Sequence, residues 1–303
     1  MPAITIRSRL RTPPRRGLAR PSAPQSMSDI FGFDAYSPRE IAQRIDAIGV
    51  TKARLPLRSM FMLAVLAGAF IGLGSMMFVL VTADASLSFA TSRLLGGLVF
   101  SLGLLLVTVA GAELFTGNNL LAMAWASKRI GTGELLRNWA VVCLGNFVGA
   151  CALALLVYLS RSTDLNGGAL AQQTLRIAAA KAALPADVAF FKGVLCNVLV
   201  CMAVWMAAAG RSVTDKAIAI VPPVTAFVAA GFEHSVANMY FFPLAMLLQI
   251  DHAAVGLPVV GWGSMLGNLG PVIAGNLLGG SVLVAGVYWV IYRRGGDGDP
   301  PAR

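Results

Sequence analysis

Charge is scarce in this sequence. Only 13% of its 303 residues are Asp, Glu, Lys or Arg, 57% are hydrophobic, and the mean hydropathy is +0.73. A soluble domain does not carry so little charge in such long apolar runs, so the class implied is a polytopic membrane protein. Acidic residues are scarcest, 14 against 24 Lys and Arg, for a net charge of +10. That excess does not point to nucleic acid. Most of the basic residues lie outside the apolar segments, and no basic and aromatic residues interleave as in a nucleic-acid face. The four cysteines, Cys143, Cys151, Cys196 and Cys201, sit inside apolar segments without metal-type spacing. They read as small buried hydrophobes, which excludes a disulfide or zinc framework. The two histidines, His234 and His252, are too few and too isolated for a haem pair. A redox subunit or membrane enzyme is therefore disfavoured, and no cofactor or metal is expected. Residues 1–28 are rich in Arg, Pro and Ser and lack the apolar core of a secretory signal.

What is present begins with Ser37-Pro38-Arg39-Glu40, an N-cap, a proline at the first helical position and a glutamate at the third. Ile41, Ile45 and Ile48 follow at helical spacing, so residues 37–54 are expected to form a short amphipathic helix on the cytoplasmic membrane surface or against the bundle. Residues 1–36 before it are expected to be a disordered basic tail. A membrane domain is expected over 55–293 and a cytoplasmic tail over 294–303. Six spans are expected in that domain, at about 59–82, 94–126, 138–160, 187–209, 215–248 and 268–292. The second and fifth are too long: some 33 residues of helix would reach about 50 Å, against a hydrocarbon core of about 30 Å. Each carries a polar, glycine-containing interruption, and irregular backbone at membrane depth is tolerated only where protein or a cavity covers it. Breaks lining a lumen are therefore expected. Nineteen of the 24 Lys and Arg fall on one side of this topology. Both termini are then cytoplasmic and the site is the inner membrane.

The two halves repeat. Gly111-Ala-Glu113-Leu-Phe-Thr-Gly-Asn118 and Gly231-Phe-Glu233-His-Ser-Val-Ala-Asn238 share G-x-E-x-x-x-x-N, and Asn138 with Gly145-Asn146 parallels Asn268 with Gly275-Asn276. Three spans per repeat is an odd number, so the halves are inverted, and paired broken helices place a pathway between them. Glu113 and Glu233 are read as caps on exposed backbone donors, with Asn118 and Asn238 as partners, in preference to proton carriers. His234 has no repeat-mate, since Leu114 stands in the matching place. An ionisable residue at this depth is a functional candidate by default; the alternative is a buried histidine that only holds helices together. Gly68, Gly72 and Gly74 in the first span read as packing positions.

Glu113-Leu-Phe-Thr-Gly-Asn, Lys192-Gly-Val-Leu-Cys-Asn197, Trp205, Gly210-Arg-Ser-Val-Thr-Asp-Lys216 and Gly231-Phe-Glu-His-Ser-Val-Ala-Asn-Met together resemble the formate/nitrite transporter family, over about residues 35–292. The resemblance implies an all-α, six-span, aquaporin-like inverted repeat with broken second and fifth helices, assembled as a homopentamer with one pore per protomer. It implies transport of small monovalent anions, formate or nitrite, with hydrosulfide, lactate or acetate as alternatives within the family. It places the central pore histidine on His234, the broken-helix threonine on Thr116, a pore asparagine on Asn197 and an outer-vestibule lysine on Lys181. Constrictions fall on Phe100, Leu104, Leu114, Phe115, Val200 and Phe227. Polar positions around the breaks fall on Glu233, Asn238 and Asn268, beside Glu113 and Asn118.

An anion left charged in a narrow apolar pore is expensive, and neutralising it is cheaper. His234, facing Thr116 and Asn197, is accordingly expected to pair with the anion as imidazolium or to give it a proton. Lys181 is expected to concentrate anions at the outer mouth. A neutral-solute channel of the water or glycerol type is the alternative, although its paired Asn-Pro-Ala half-helices are absent.

Overall fold

The computed structural model describes residues 35–251 and 256–293; the expectations for residues 1–34, for His252 and for residues 294–303 lie outside them. Every described element is helical. Helix α1 (Pro38–Ala53) begins where the capping signal lies. The Ser37 hydroxyl accepts from the Glu40 amide, and the Glu40 carboxylate takes the Ser37 amide in return. Its buried face is Ile41, Ala42, Ile45, Asp46, Gly49 and Ala53, whereas Ile48 is exposed. Asp46 therefore belongs to the packed face. It is fully buried, and one carboxylate oxygen accepts from Arg129 at 3.1 Å and Arg293 at 3.0 Å, which ties α1 to the bundle at two points.

Helices α2 (Leu57–Thr82) and α3 (Phe89–Ala110) follow, then a 3-10 turn (Gly117–Leu121) and the short α4 (Ala122–Ala126). Next come α5 (Thr132–Leu159), α6 (Leu165–Ala182) and α7 (Ala186–Ala209). The fifth apolar segment is divided into α8 (Val213–Ala229) and α9 (Ser235–Asp251). The last comprises α10 (Trp262–Leu277), a π-helical stretch (Leu278–Gly286) and α11 (Val287–Tyr292). Five of these units, α2, α3, α5, α7 and the continuous 262–292 rod, are long and apolar enough to cross a membrane. Helices α8 and α9, at 17 residues each, are individually short of that.

Helix α6 was not expected. Asn166, Gly167 and Gly168 adopt left-handed backbone at its start, and the regular helix follows. Its buried stripe is Leu170, Ala171, Thr174, Leu175, Ala178 and Ala179. The alanine-rich, weakly apolar sequence hides a regular i, i+4 pattern. Lys181, expected in a connecting stretch, sits in its last turn.

The helices approach closely where glycine permits. A Cβ on Gly68 would strike the Asn146 carbonyl oxygen, and one on Gly149 the carbonyl oxygen of Val65, so α2 and α5 meet backbone to backbone. Gly74 meets the Phe100 carbonyl of α3 in the same way.

Candidate functional site

Helix α3 stops at Gly111 and α8 runs out at Gly231, and both glycines have positive φ, 83° and 72°. A left-handed residue there turns the chain out of the helix at little cost only because it lacks a Cβ. The residues that follow, 112–116 and 232–234, have no regular secondary structure. Their backbone groups are held by two asparagines from neighbouring helices. The Asn146 amide donates to the carbonyls of Ala64 (2.7 Å) and Glu113 (2.9 Å), and its oxygen accepts from the Phe115 amide at 2.8 Å. Asn276 repeats this with Gly193 (2.8 Å), Glu233 (3.0 Å) and the Ser235 amide (3.0 Å). Thus Asn146 and Asn276 supply, at each interruption, hydrogen bonds that a helix would otherwise have made.

The two glutamates are not backbone caps, as the sequence had suggested. Glu113 accepts from Lys52 at 2.8 Å and from Asn118 at 2.7 Å; Asn118 also donates to Asn138, whose amide returns to the Lys52 carbonyl. Glu233 accepts from Lys181 at 2.9 Å and from Asn238 at 2.7 Å; Asn238 donates to Asn268, whose amide returns to the Lys181 carbonyl. The same closed ring of Lys, Glu, Asn and Asn occurs twice. A buried carboxylate is tolerable here because a lysine and an amide share its two oxygens.

Lys52 is a member the sequence reading left out. Its signal was legible: Lys52-Ala-Arg-Leu-Pro56 matches Lys181-Ala-Ala-Leu-Pro185. The repeated unit is therefore an amphipathic helix plus three membrane segments, with α1 and α6 as mates. Asn138, Asn146 and Asn276 are repeat markers in the sequence; in the structure Asn146 and Asn276 hold the interruptions, and Asn138 closes the Lys52 ring.

Two cavities flank this assembly. One, of about 250 Å³, is lined by Arg44, Lys52, Leu104, Glu113, Leu114 and Lys216 among others. The second, of about 270 Å³, is lined by Arg93, Phe100, Lys181, Lys192, Phe227, Glu233 and His234 among others. They lie toward opposite ends of α3, whose Arg93 and Phe100 face the second while Leu104, Val107 and Thr108 face the first. Helix α8 runs the other way, with Lys216 in the first and Phe227 and Val228 in the second.

Thr116 and His234 meet between them. Leu114 and Gly117, on either side of Thr116, line the Lys52 cavity; His234 lines the Lys181 cavity. Thr116 Oγ1 is 3.0 Å from His234 Nε2, and both residues are buried. The imidazole lies nearly parallel to the Phe227 ring, 5.9 Å between centroids, and Phe227 meets Phe100 edge-on at 5.9 Å. The other ring nitrogen, Nδ1, accepts from the Ala237 backbone amide at 3.1 Å, three residues on. His234 is thus the N-cap of α9. Because Nδ1 accepts, the ring in this arrangement is neutral, with its proton on Nε2 directed at Thr116 Oγ1.

Of the other residues singled out from sequence, Phe100 and Phe227 line the second cavity and Leu104 and Leu114 the first; Phe115 and Val200 are buried and line neither. Asn197 makes no hydrogen bond to His234 among the described residues. The two N–H of its amide are shared among the Thr116 carbonyl (3.2 Å), the Asn119 side-chain oxygen (2.7 Å) and the Asn276 carbonyl (2.7 Å). It ties the first interruption, at Thr116, to α10 at Asn276, whose own side chain holds the second.

Similarity to known proteins extends over most of the chain. The family model for formate/nitrite transporters matches residues 39–290. The formate channel FocA of Escherichia coli K12 is 40% identical over 281 residues, covering 88% of this chain and 97% of that protein. A probable formate transporter of Methanothermobacter thermautotrophicus is 37% identical, over 86% of this chain and 99% of that protein. Among solved structures, a pentameric formate channel with formate bound superposes with a TM-score of 0.73 at 38% identity, covering 78% of this chain and 97% of that one. An FNT family ion channel gives a TM-score of 0.75 at 32% identity, over 83% and 98%. The chain is a multi-pass, all-helical membrane protein, and it belongs to the formate/nitrite transporter family.

Proposed function

We propose that the chain carries small monovalent anions, formate and nitrite first, across the inner membrane through a pore within each protomer of a homopentamer. The carrying observation is a pair of basic cavities at opposite ends of α3 and α8, joined through apolar side chains by the Thr116–His234 hydrogen bond. The relatives named for formate support this choice of substrate, and the solved pentamer supports the assembly. Both termini lie in the cytoplasm on this reading, so the Lys52 cavity opens inward and the Lys181 cavity outward. The interruptions at 111–116 and 230–234 are the breaks of an inverted repeat, and they bring Thr116 and His234 to its centre.

An anion entering from the Lys181 cavity gives up water as it reaches the rings of Phe100 and Phe227. What it gains must come from donors already in place. The donors are His234 Nε2–H, or the O–H of Thr116 while its oxygen accepts a hydrogen bond from Nε2–H. Neither requires rearrangement. Ion pairing as imidazolium, or proton donation from it, requires Nδ1 to release the Ala237 amide first. Neutral donation is therefore the resting role, and protonation of the anion is a second step coupled to loss of the α9 cap. Leu104 and Leu114 close the far side, with Phe115 and Val200 buried behind them.

Proteoliposomes test the function directly. Formate and nitrite uptake are expected to exceed empty-vesicle rates, with glycerol permeability unchanged. Glycerol flux without anion flux would establish the neutral-solute alternative.

A further inference from the structure

Each cavity is lined by three cations and one carboxylate. The carboxylate is not shared evenly. In the second cavity Glu233 is bound to Lys181 at 2.9 Å, so the charge of Lys181 is met within the protein. Arg93 gives Nε to the Ala229 carbonyl at 3.0 Å and Nη2 to the Val228 carbonyl at 2.8 Å. Those are the last carbonyls of α8, which hold the guanidinium with the partial negative charge of a helix end but bring no carboxylate to it. Lys192 lines the same cavity, half-buried, and no carboxylate among the described residues pairs with it. The other cavity has the same bookkeeping. Lys52 is bound to Glu113 at 2.8 Å, while Arg44 lies over the Tyr36 ring at 4.0 Å and Lys216 has no carboxylate on it among the described residues. The recurrence is one of placement and not of aligned residues: Arg93 stands five residues after the α3 cap Ser88, and Lys216 four after the α8 cap Ser212.

We propose that the charge which draws the anion into the Lys181 cavity is carried by Arg93 and Lys192, with Lys181 held as the neutralised partner of Glu233. This deepens the transport reading and rests on it. A charge already matched at hydrogen-bond distance contributes little field at the mouth. An unmatched charge in a low-dielectric, concave wall raises the local anion concentration and the entry rate. Arg93, tied to the last carbonyls of α8, stands beside the interruption that leads to His234. The Lys192 ammonium, on α7, has no hydrogen-bond partner among the described residues, while its carbonyl accepts from the Glu233 amide at 3.3 Å. The pair thus marks the approach to the imidazole and sets the preference for anions over neutral acids before the apolar rings are met. This replaces the role first assigned to Lys181.

The test is initial formate uptake by proteoliposomes of the full-length chain, at about 10 mM and about 1 M ionic strength set with an impermeant salt, where the screening lengths are roughly 30 and 3 Å. Lys192→Gln is expected to raise the half-saturating formate concentration on the order of tenfold at low ionic strength, with maximal flux unchanged. Lys192→Glu is expected to raise it further. Lys192→Arg restores it, and high salt brings all three to the wild-type value. Arg93→Lys, which keeps the charge and loses the carbonyl fork, is expected to hold half-saturation better than Arg93→Gln. Wild-type half-saturation in Lys192→Gln and Lys192→Glu at low ionic strength overturns the proposal. Wild-type vesicles that take up neither formate nor nitrite would instead sink the transport reading beneath it.

Discussion

His234 is bound at both ring nitrogens, to a backbone amide and to a threonine hydroxyl. The arrangement fixes the tautomer, and that is open to measurement. The chain has two histidines, so ring nitrogen-15 spectra of histidine-labelled protein are simple. One residue is expected to remain an Nε2–H neutral ring from pH 5 to 8; an imidazolium signature for His234 across that range would contradict the cap. The lysine–glutamate pairs make a second residue-scale prediction. Glu233 and Lys181 have side chains only 5% and 15% exposed. Lys181→Met leaves a buried carboxylate without its cation and is expected to cost about 3–5 kcal/mol, with most of it recovered in Lys181→Met/Glu233→Gln. Thermal midpoints of the purified variants check this. G-x-E-x-x-x-x-N was legible because a repeated spacing survives in a single sequence. The partner of each glutamate was not, since Lys52 lies 61 positions before Glu113 and reads locally as the end of a surface helix. Nor could the sequence give the direction of the Asn197 amide, which tertiary contact alone decides.

At the scale of elements, the fold rests on where helices stop and how closely they approach. A Cβ on Gly111 would meet open space, so Gly111→Ala carries only the left-handed backbone penalty, about 1–2 kcal/mol. Gly149→Ala sets a Cβ against the Val65 carbonyl oxygen and must part α2 from α5, which is expected to cost toward 3 kcal/mol. Equal thermal shifts for the two would contradict this division. The α1 cap adds a pH dependence. Hydrogen bonds from the Ser37 side chain and backbone hold the Glu40 carboxyl below the usual range. A lowered folded-state value means the cap is intact above the ordinary carboxylate range and is lost as pH falls through the lowered value. Amide exchange in the first turn of α1 is expected to quicken there, and Ser37→Ala to remove the effect. Helix α1 was legible because its cap is a local signal. Helix α6 was not: its stripe is built largely from alanine, and Asn166-Gly-Gly opens it with a left-handed turn.

For the whole molecule, the six apolar segments and the repeat followed from composition and period, since the bilayer fixes the length of what crosses it. The two cavities did not, because a cavity is what several elements leave between them. Their equivalence suggests that the same design serves entry from either side: a neutral Lys–Glu pair, two further cations, and an interruption leading inward. Topology is tested by a reporter fused after residue 294, expected to read out in the cytoplasm; a periplasmic signal would invert the assignment of both mouths. Between the shared Gly, Glu and Asn the two interruptions differ, and there His234 stands opposite Leu114 and Thr116 opposite Val236. The most direct measurement is therefore formate and nitrite uptake, across pH, by His234→Ala assembled like the wild type. Loss of most of the anion flux, or of its pH dependence, is expected; wild-type rates with an unchanged pH profile would contradict the account.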